Sequence, residues 1–117
     1  CRDVVPVYHA IDILTSASLF GEGFPNVIGE AMACGLPCVV TDAGDSAAVV
    51  GDTGIVVPRA DAGALAAGWR RALARGQVPP GPDPRRRIET EFSVERLVVR
   101  TEAALAALVA SPGRQAA

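Results

Sequence analysis

Residues 21–42 read GEGFPNVIGEAMACGLPCVVTD, and this stretch decides how the rest of the chain is organised. It opens with a Gly- and Pro-punctuated loop, residues 19–26. VIGEAMAC, residues 27–34, then reads as a helix with Val27, Ala31 and Cys34 on one face. Gly35 stands where a left-handed C-cap belongs, and Pro37 stops the helix from continuing. CVVTD, residues 38–42, is apolar without alternation, as a strand covered on both faces of a parallel sheet is. Loop, helix and buried strand in this order are the parts of a parallel α/β unit.

Outward from this stretch the same alternation continues. Residues 1–12 predict a short helix entered near Pro6, and IDILTSAS, residues 11–18, a buried strand of about five residues. Residues 43–54 are turn-rich with a short helix at most, and GIVVP, residues 54–58, is a third strand. Asp61 caps a helix whose Leu65, Trp69, Ala72 and Leu73 form an apolar stripe directed at the core, closed by Gly76. A Pro-rich connector at residues 77–84 leads to a short helix over 85–91, where Arg85, Arg86 and Arg87 read as a solvated face beside Glu89 and Glu91. Ser93 caps a last helix with Val94, Val98, Leu105, Leu108 and Val109 on one side, and residues 111–117 are a frayed tail. The expected fold class is therefore α/β, a partial Rossmann-like parallel sheet of about three strands in sequential order with flanking helices. Three strands make one half of a doubly wound domain.

Composition narrows the function classes. The chain has 117 residues, half of them hydrophobic, with 11 basic and 13 acidic side chains and a net charge of −2. That balance supplies a core and argues against a dedicated nucleic-acid binder, which shows a basic excess. Three cysteines and one histidine are too few for a disulfide scaffold and lack the ligands of a zinc site. Residue 1 is Cys, and the single Met is Met32, so the expectation is a piece of a longer protein: residues 1–110 part of one domain, about two-thirds of it, and inactive alone. An unpaired edge at residues 11–15 would then invite self-association. No apolar run is long enough to span a membrane, and three cysteines, an odd number, fit a reducing, cytoplasmic setting, or one peripheral to a membrane in the intact protein.

The chemistry concentrates between Glu22 and Glu30. A strand entering a tight loop and then a helix places the loop at the carboxyl edge of a parallel sheet, where ligands bind. The unpaired N–H groups of a first helical turn and its positive dipole end form an anion site. Glycines at 21 and 23 allow close backbone approach to a ligand. Glu30, about four residues into the helix, lies ~6 Å along its axis and leans back toward that end. Ionised carboxylates only accept hydrogen bonds, so Glu22 and Glu30 suit the paired hydroxyls of a ribose or a sugar. Amides for phosphate beside carboxylates for hydroxyls describe a nucleotide-sugar site. His9 reads as a surface or packed residue, Asp42 as turn chemistry at the ligand edge, and Phe24 is as fit for a core plug as for the site.

The pair Glu22 and Glu30, seven residues between them, followed by Ala31-Met32-Ala33-Cys34-Gly35-Leu36-Pro37, closely resembles the donor-binding signature of the group 1 (family 4) retaining glycosyltransferases, which have the GT-B fold. The resemblance runs from about Arg2 through the helix begun by Asp61. It implies a donor-binding domain in which Glu30 binds the nucleotide ribose and Glu22, the catalytic candidate, contacts hydroxyls of the transferred sugar. Gly23, Phe24, Asn26 and Val27 would present backbone to sugar and diphosphate, with Pro25 shaping the loop. It also implies hexosyl transfer with retention from a nucleoside diphosphate sugar, no cofactor and no metal. The acceptor, a sugar or lipid-linked glycan, would be held by an N-terminal domain outside this chain. The loop after the second strand departs from the family pattern: Gly44 is followed by Asp45, with Ala47 and Ala48 beyond. A GT-B nucleotide-sugar epimerase and a non-catalytic assembly module remain the alternative functions.

Overall fold

A computed structural model describes residues 3–21, 23–75 and 81–110. Its element order is α1 (Val5–His9), β1 (Leu14–Ser16), α2 (Asn26–Ala33), β2 (Cys38–Thr41), α3 (Ser46–Val50), a 3-10 turn (Gly51–Thr53), β3 (Ile55–Val57), α4 (Ala62–Arg75), α5 (Pro84–Glu91) and α6 (Val94–Ala110). The three strands pair in parallel in the order β1-β2-β3, as the alternation of strands and helices predicts. The register aligns Thr15 with Val39 and Val39 with Ile55.

β2 is central, and each of its four residues is buried. Its side chains alternate between two cores, which is why the segment is apolar without a break. Cys38 and Val40 point into one cluster with Tyr8, Ile28, Met32, Val49 and Val50, roofed by α1, α2 and α3. Val39 points the other way, into a second cluster with Ile55, Val57 and Ala72 beneath α4. β1 pairs on one side alone among the described residues. It is three residues long rather than the five expected. The ladder starts at Leu14, whose N–H donates to Pro37 at 3.0 Å, and Pro37 has no N–H to return a bond.

α2 stops as its sequence dictates. Gly35 adopts φ +81°, its N–H bonds to Met32 O, and Leu36 N–H bonds back to Ala31 O at 3.0 Å, with Leu36 buried. Those two bonds and the apolar residue after the glycine make a Schellman cap. The buried face of α2 is Ile28, Gly29, Ala31 and Met32. Val27, expected on that face, is 51% exposed, because the i, i+4 pair Ile28 and Met32 takes the position over the sheet.

Two other apolar stripes are corrected. On α4 the side against the sheet is Leu65, Gly68 and Ala72, while Trp69 and Leu73 are exposed. Trp69 instead reaches the edge strand, where its Nε1 donates to Thr15 Oγ1 at 2.8 Å. Nothing lies beyond β1 among the described residues to cover its ring. α6 starts as expected, with Ser93 Oγ accepting from Arg96 N, yet Val94, Val98, Leu105, Leu108 and Val109 are all exposed. Among the described residues both faces of the sheet are already roofed, one by α2 and α3 and the other by α4. Gly76 and residues 111–117 lie outside the described residues.

Candidate functional site

The chain leaving β1 is tied to the carboxyl edge of the sheet before it reaches the loop. Thr41 Oγ1, at the end of β2, donates to Ser18 O at 2.6 Å. Arg59 Nη1 reaches Leu19 O at 3.4 Å from the turn after β3. Gly21 passes so close to the loop after β2 that a Cβ there would lie 3.0 Å from Gly44 Cα. The bareness of Gly21 therefore serves this backbone crossing. At Gly23, by contrast, a Cβ would meet nothing within 4 Å, so the main chain there is open on that side.

α2 then begins at Asn26 with Pro25 as its N-cap residue, in extended conformation and buried. No side chain caps this end. Ile28 and Gly29 donate back to Pro25 O, which leaves the backbone N–H groups of Asn26 and Val27 with no acceptor among the described residues. Both residues are exposed. An uncapped first turn with its dipole aimed outward attracts an anion.

Glu30, one turn further along, is exposed and does not stand alone. Tyr8 Oη donates to its Oε2 at 2.7 Å. This bond, together with burial and the nearby carboxylate charge, pushes the Tyr8 hydroxyl up from 10 to about 12. Phe24 is half inside and half out, 44% exposed, with its ring 5.3 Å from that of Phe92 between α5 and α6 and its edge over Gly29. Arg87 stands over the other ring of this pair, 5.8 Å from the Phe92 centroid. Its guanidinium donates to Val49 O and Ala48 O at 2.9 and 2.8 Å, closing the end of α3. Of the basic run expected to be a solvated face, Arg85 pairs with Glu89 in solvent, whereas Arg87 braces the fold.

The structure thus brings Gly23, Phe24, Pro25, Asn26, Val27 and Glu30 to one end of α2. Glu22 lies outside the described residues. Asp42 is exposed at the sheet edge, its N–H donating to Val57 O, and His9 is exposed. Two contributors escaped the sequence: Tyr8 and Phe92. Both are aromatic residues whose roles depend on which helix α2 packs against, and residue spacing carries no signal of that. The carboxyl edge also holds a cavity of about 280 Å³ lined by Ala17, Leu19, Thr41, Ala60, Asp61 and Leu65. A more apolar cleft of about 350 Å³ between Phe24 and α6 shares only Phe24 with the motif. No three His, Cys, Asp or Glu side chains converge among the described residues.

A three-stranded parallel sheet in sequential order with helices on both faces, and an uncapped helix N-terminus at its carboxyl edge, is part of a Rossmann-like domain. The family model for glycosyl transferases group 1 matches residues 1–75, well over half of the 117, and the chain belongs to that family. Its structure is similar to sucrose-phosphate synthase from Thermosynechococcus elongatus, with a TM-score of 0.75 and 29% identity over 93% of this chain and 28% of that one. It is also similar to a glycosyltransferase from Rickettsia africae ESF-5, with a TM-score of 0.77 over 96% of this chain and 31% of that one. At 21% identity this second likeness shows the fold alone. The chain therefore spans less than a third of the length of either structure. Among curated proteins, none matches it significantly. No helix among the described residues is long and apolar enough to cross a membrane.

Proposed function

We propose that this chain is part of the donor-binding domain of a glycosyltransferase of GT-B type, one that transfers a hexosyl group with retention from a nucleoside diphosphate sugar. The observation that carries this reading is the uncapped N-terminus of α2 with Glu30 one turn behind it. The free N–H groups of Asn26 and Val27 would receive diphosphate oxygens, and the Glu30 carboxylate would accept the two ribose hydroxyls. Glu22 would contact hydroxyls of the sugar. In transfer, the bond from the anomeric carbon to the diphosphate oxygen breaks and its electron pair leaves with the diphosphate. The acceptor oxygen bonds to that carbon, and its proton passes to the departing diphosphate oxygen. Charge grows on the leaving group, and fixed N–H dipoles stabilise that charge without reorganising.

The donor is a substrate, and the reading assigns the chain no cofactor and no metal. The acceptor, a sugar or lipid-linked glycan, belongs to a region outside these residues, and the protein works in the cytoplasm or against its membrane surface. On this reading the isolated chain does not turn over, and its open β1 edge favours self-association. Ligand-observed NMR with a panel of nucleotide sugars tests the donor site. Saturation transfer to ribose and diphosphate-linked sugar protons is expected. Its absence for every member of the panel would remove the proposal.

A further inference from the structure

Tyr8 is the chain's single tyrosine, and nothing in the donor chemistry described so far requires it. The residue is 8% exposed and packs in the same cluster as Ile28, Ala31 and Met32, which are the inward face of α2. A buried tyrosine ring needs a partner for its hydroxyl. Here the partner is neither a backbone carbonyl nor another core group but the carboxylate of Glu30, 22 residues away on the exposed side of α2.

The geometry has a consequence for that carboxylate. An exposed glutamate samples many rotamers, and ordering it on ligand binding costs entropy. A hydroxyl anchored in the core and donating at 2.7 Å holds Oε2 in one place. It uses one lone pair of that oxygen and leaves Oε1 and the other lone pair of Oε2 free to accept. Two adjacent hydroxyls on one ring need two acceptor sites at a fixed separation, which an anchored carboxylate supplies in advance.

We propose that Tyr8 is a positioning residue of the nucleoside site, its hydroxyl holding the Glu30 carboxylate in the orientation that accepts the two ribose hydroxyls. This rests on the ribose role of Glu30 given above. Tyr8 touches no reacting atom. It acts through Glu30, and α1 thereby becomes a working part of the donor site although its residues lie before the signature run.

The test uses the 117-residue chain with Tyr8→Phe, which keeps the ring and removes the hydroxyl. The probes are uridine, guanosine and adenosine diphosphates, each beside its 2′,3′-dideoxy counterpart, with affinities read by calorimetry. Wild type is expected to prefer the ribose form. Tyr8→Phe is expected to weaken binding of the ribose form about three- to tenfold and to leave the dideoxy form unchanged, a pattern that loosened packing would not produce. Equal loss on both forms, or no loss on the ribose form, overturns the positioning role while the ribose role of Glu30 stands. A wild type that does not distinguish ribose from dideoxyribose overturns both. A ligand-free arm reads the contact itself by absorbance of the tyrosinate. The hydroxyl is expected to titrate near 12 in wild type and at a lower pH in Glu30→Ala, which removes both the acceptor and the charge. A wild-type midpoint at 10 would overturn the contact.

Discussion

Gly68→Ala is the substitution for which the packing of α4 makes the sharpest demand, because two effects of opposite sign meet there. Gly68 lies inside α4, and alanine in a helix interior is favoured over glycine by about 0.8–1 kcal/mol. On an open helix face the change would therefore stabilise. At this position the added Cβ would stand 2.8 Å from Val39 Cγ1 and 3.3 Å from Val57 Cγ1. Neither neighbour has room to give. Val39 is fully buried in the middle strand, Val57 is 5% exposed, and β-branched side chains are stiff at χ1. The helix must lift from the sheet by several tenths of an ångström, and overpacking of this kind costs about 1–3 kcal/mol. The difference is a net loss of about 1 kcal/mol. With a urea slope of about 1–2 kcal/mol per molar, the unfolding midpoint should fall by about 0.5–1 M at unchanged slope. Fluorescence of Trp69, the chain's single tryptophan and the next residue along α4, follows the transition. A midpoint that rises would refute the reasoning, since it would mean that helix propensity outweighs contact with β2 and β3.

Cys38, 2% exposed with its thiol pushed up from 9 to about 12 by burial, should resist an aromatic disulfide reagent at pH 8 until the chain is unfolded in urea. Rapid modification of Cys38, located by peptide mapping, would show the first core to be open. Both Tyr8 and Cys38 hold their protons more tightly folded than unfolded, so their contribution is present below about pH 9 and is lost as pH climbs toward 12. Urea midpoints should accordingly fall between pH 8.5 and pH 11 (both conditions set by that window), and a rising midpoint would contradict the sign. Arg87→Ala removes two hydrogen bonds to the end of α3 and a contact with Phe92. Because the side chain is partly solvated, the expected loss is about 1–2 kcal/mol, measured by the same denaturation, and no change would mean that the brace is idle.

How much of this was legible beforehand differs from element to element for physical reasons. β2 could be read because a strand roofed on both faces writes its burial directly into CVVT, and α2 could be located because glycine and proline punctuate its end. The sequential parallel order followed from that alternation. An amphipathic pattern, however, says that a face is apolar without saying what meets it. Val94 to Val109 on α6 and Trp69 on α4 look like core positions on a helical wheel, yet the described part of the chain has no surface left to cover them. At the site, the motif loop and Glu30 were visible as a loop, a helix start and a carboxylate at helical spacing. The bond from Tyr8 to Glu30 was not, because it depends on how α1 packs against α2. The same holds for Phe24, whose place is decided by Phe92, 68 residues further along.

Calorimetry of wild type and Glu30→Ala against uridine, guanosine and adenosine diphosphate sugars bears on the donor-site reading with the fewest intermediate steps. A carboxylate accepting hydrogen bonds from ligand hydroxyls contributes about 1.5–3 kcal/mol, so the variant should bind the preferred donor about ten- to a hundredfold more weakly. Its urea midpoint should fall by the equivalent of about 1–2 kcal/mol, because the Tyr8 hydroxyl loses its acceptor, so affinities are compared under conditions where circular dichroism shows the variant folded. Wild-type affinity in a folded Glu30→Ala would contradict the assignment of this helix end to the nucleotide.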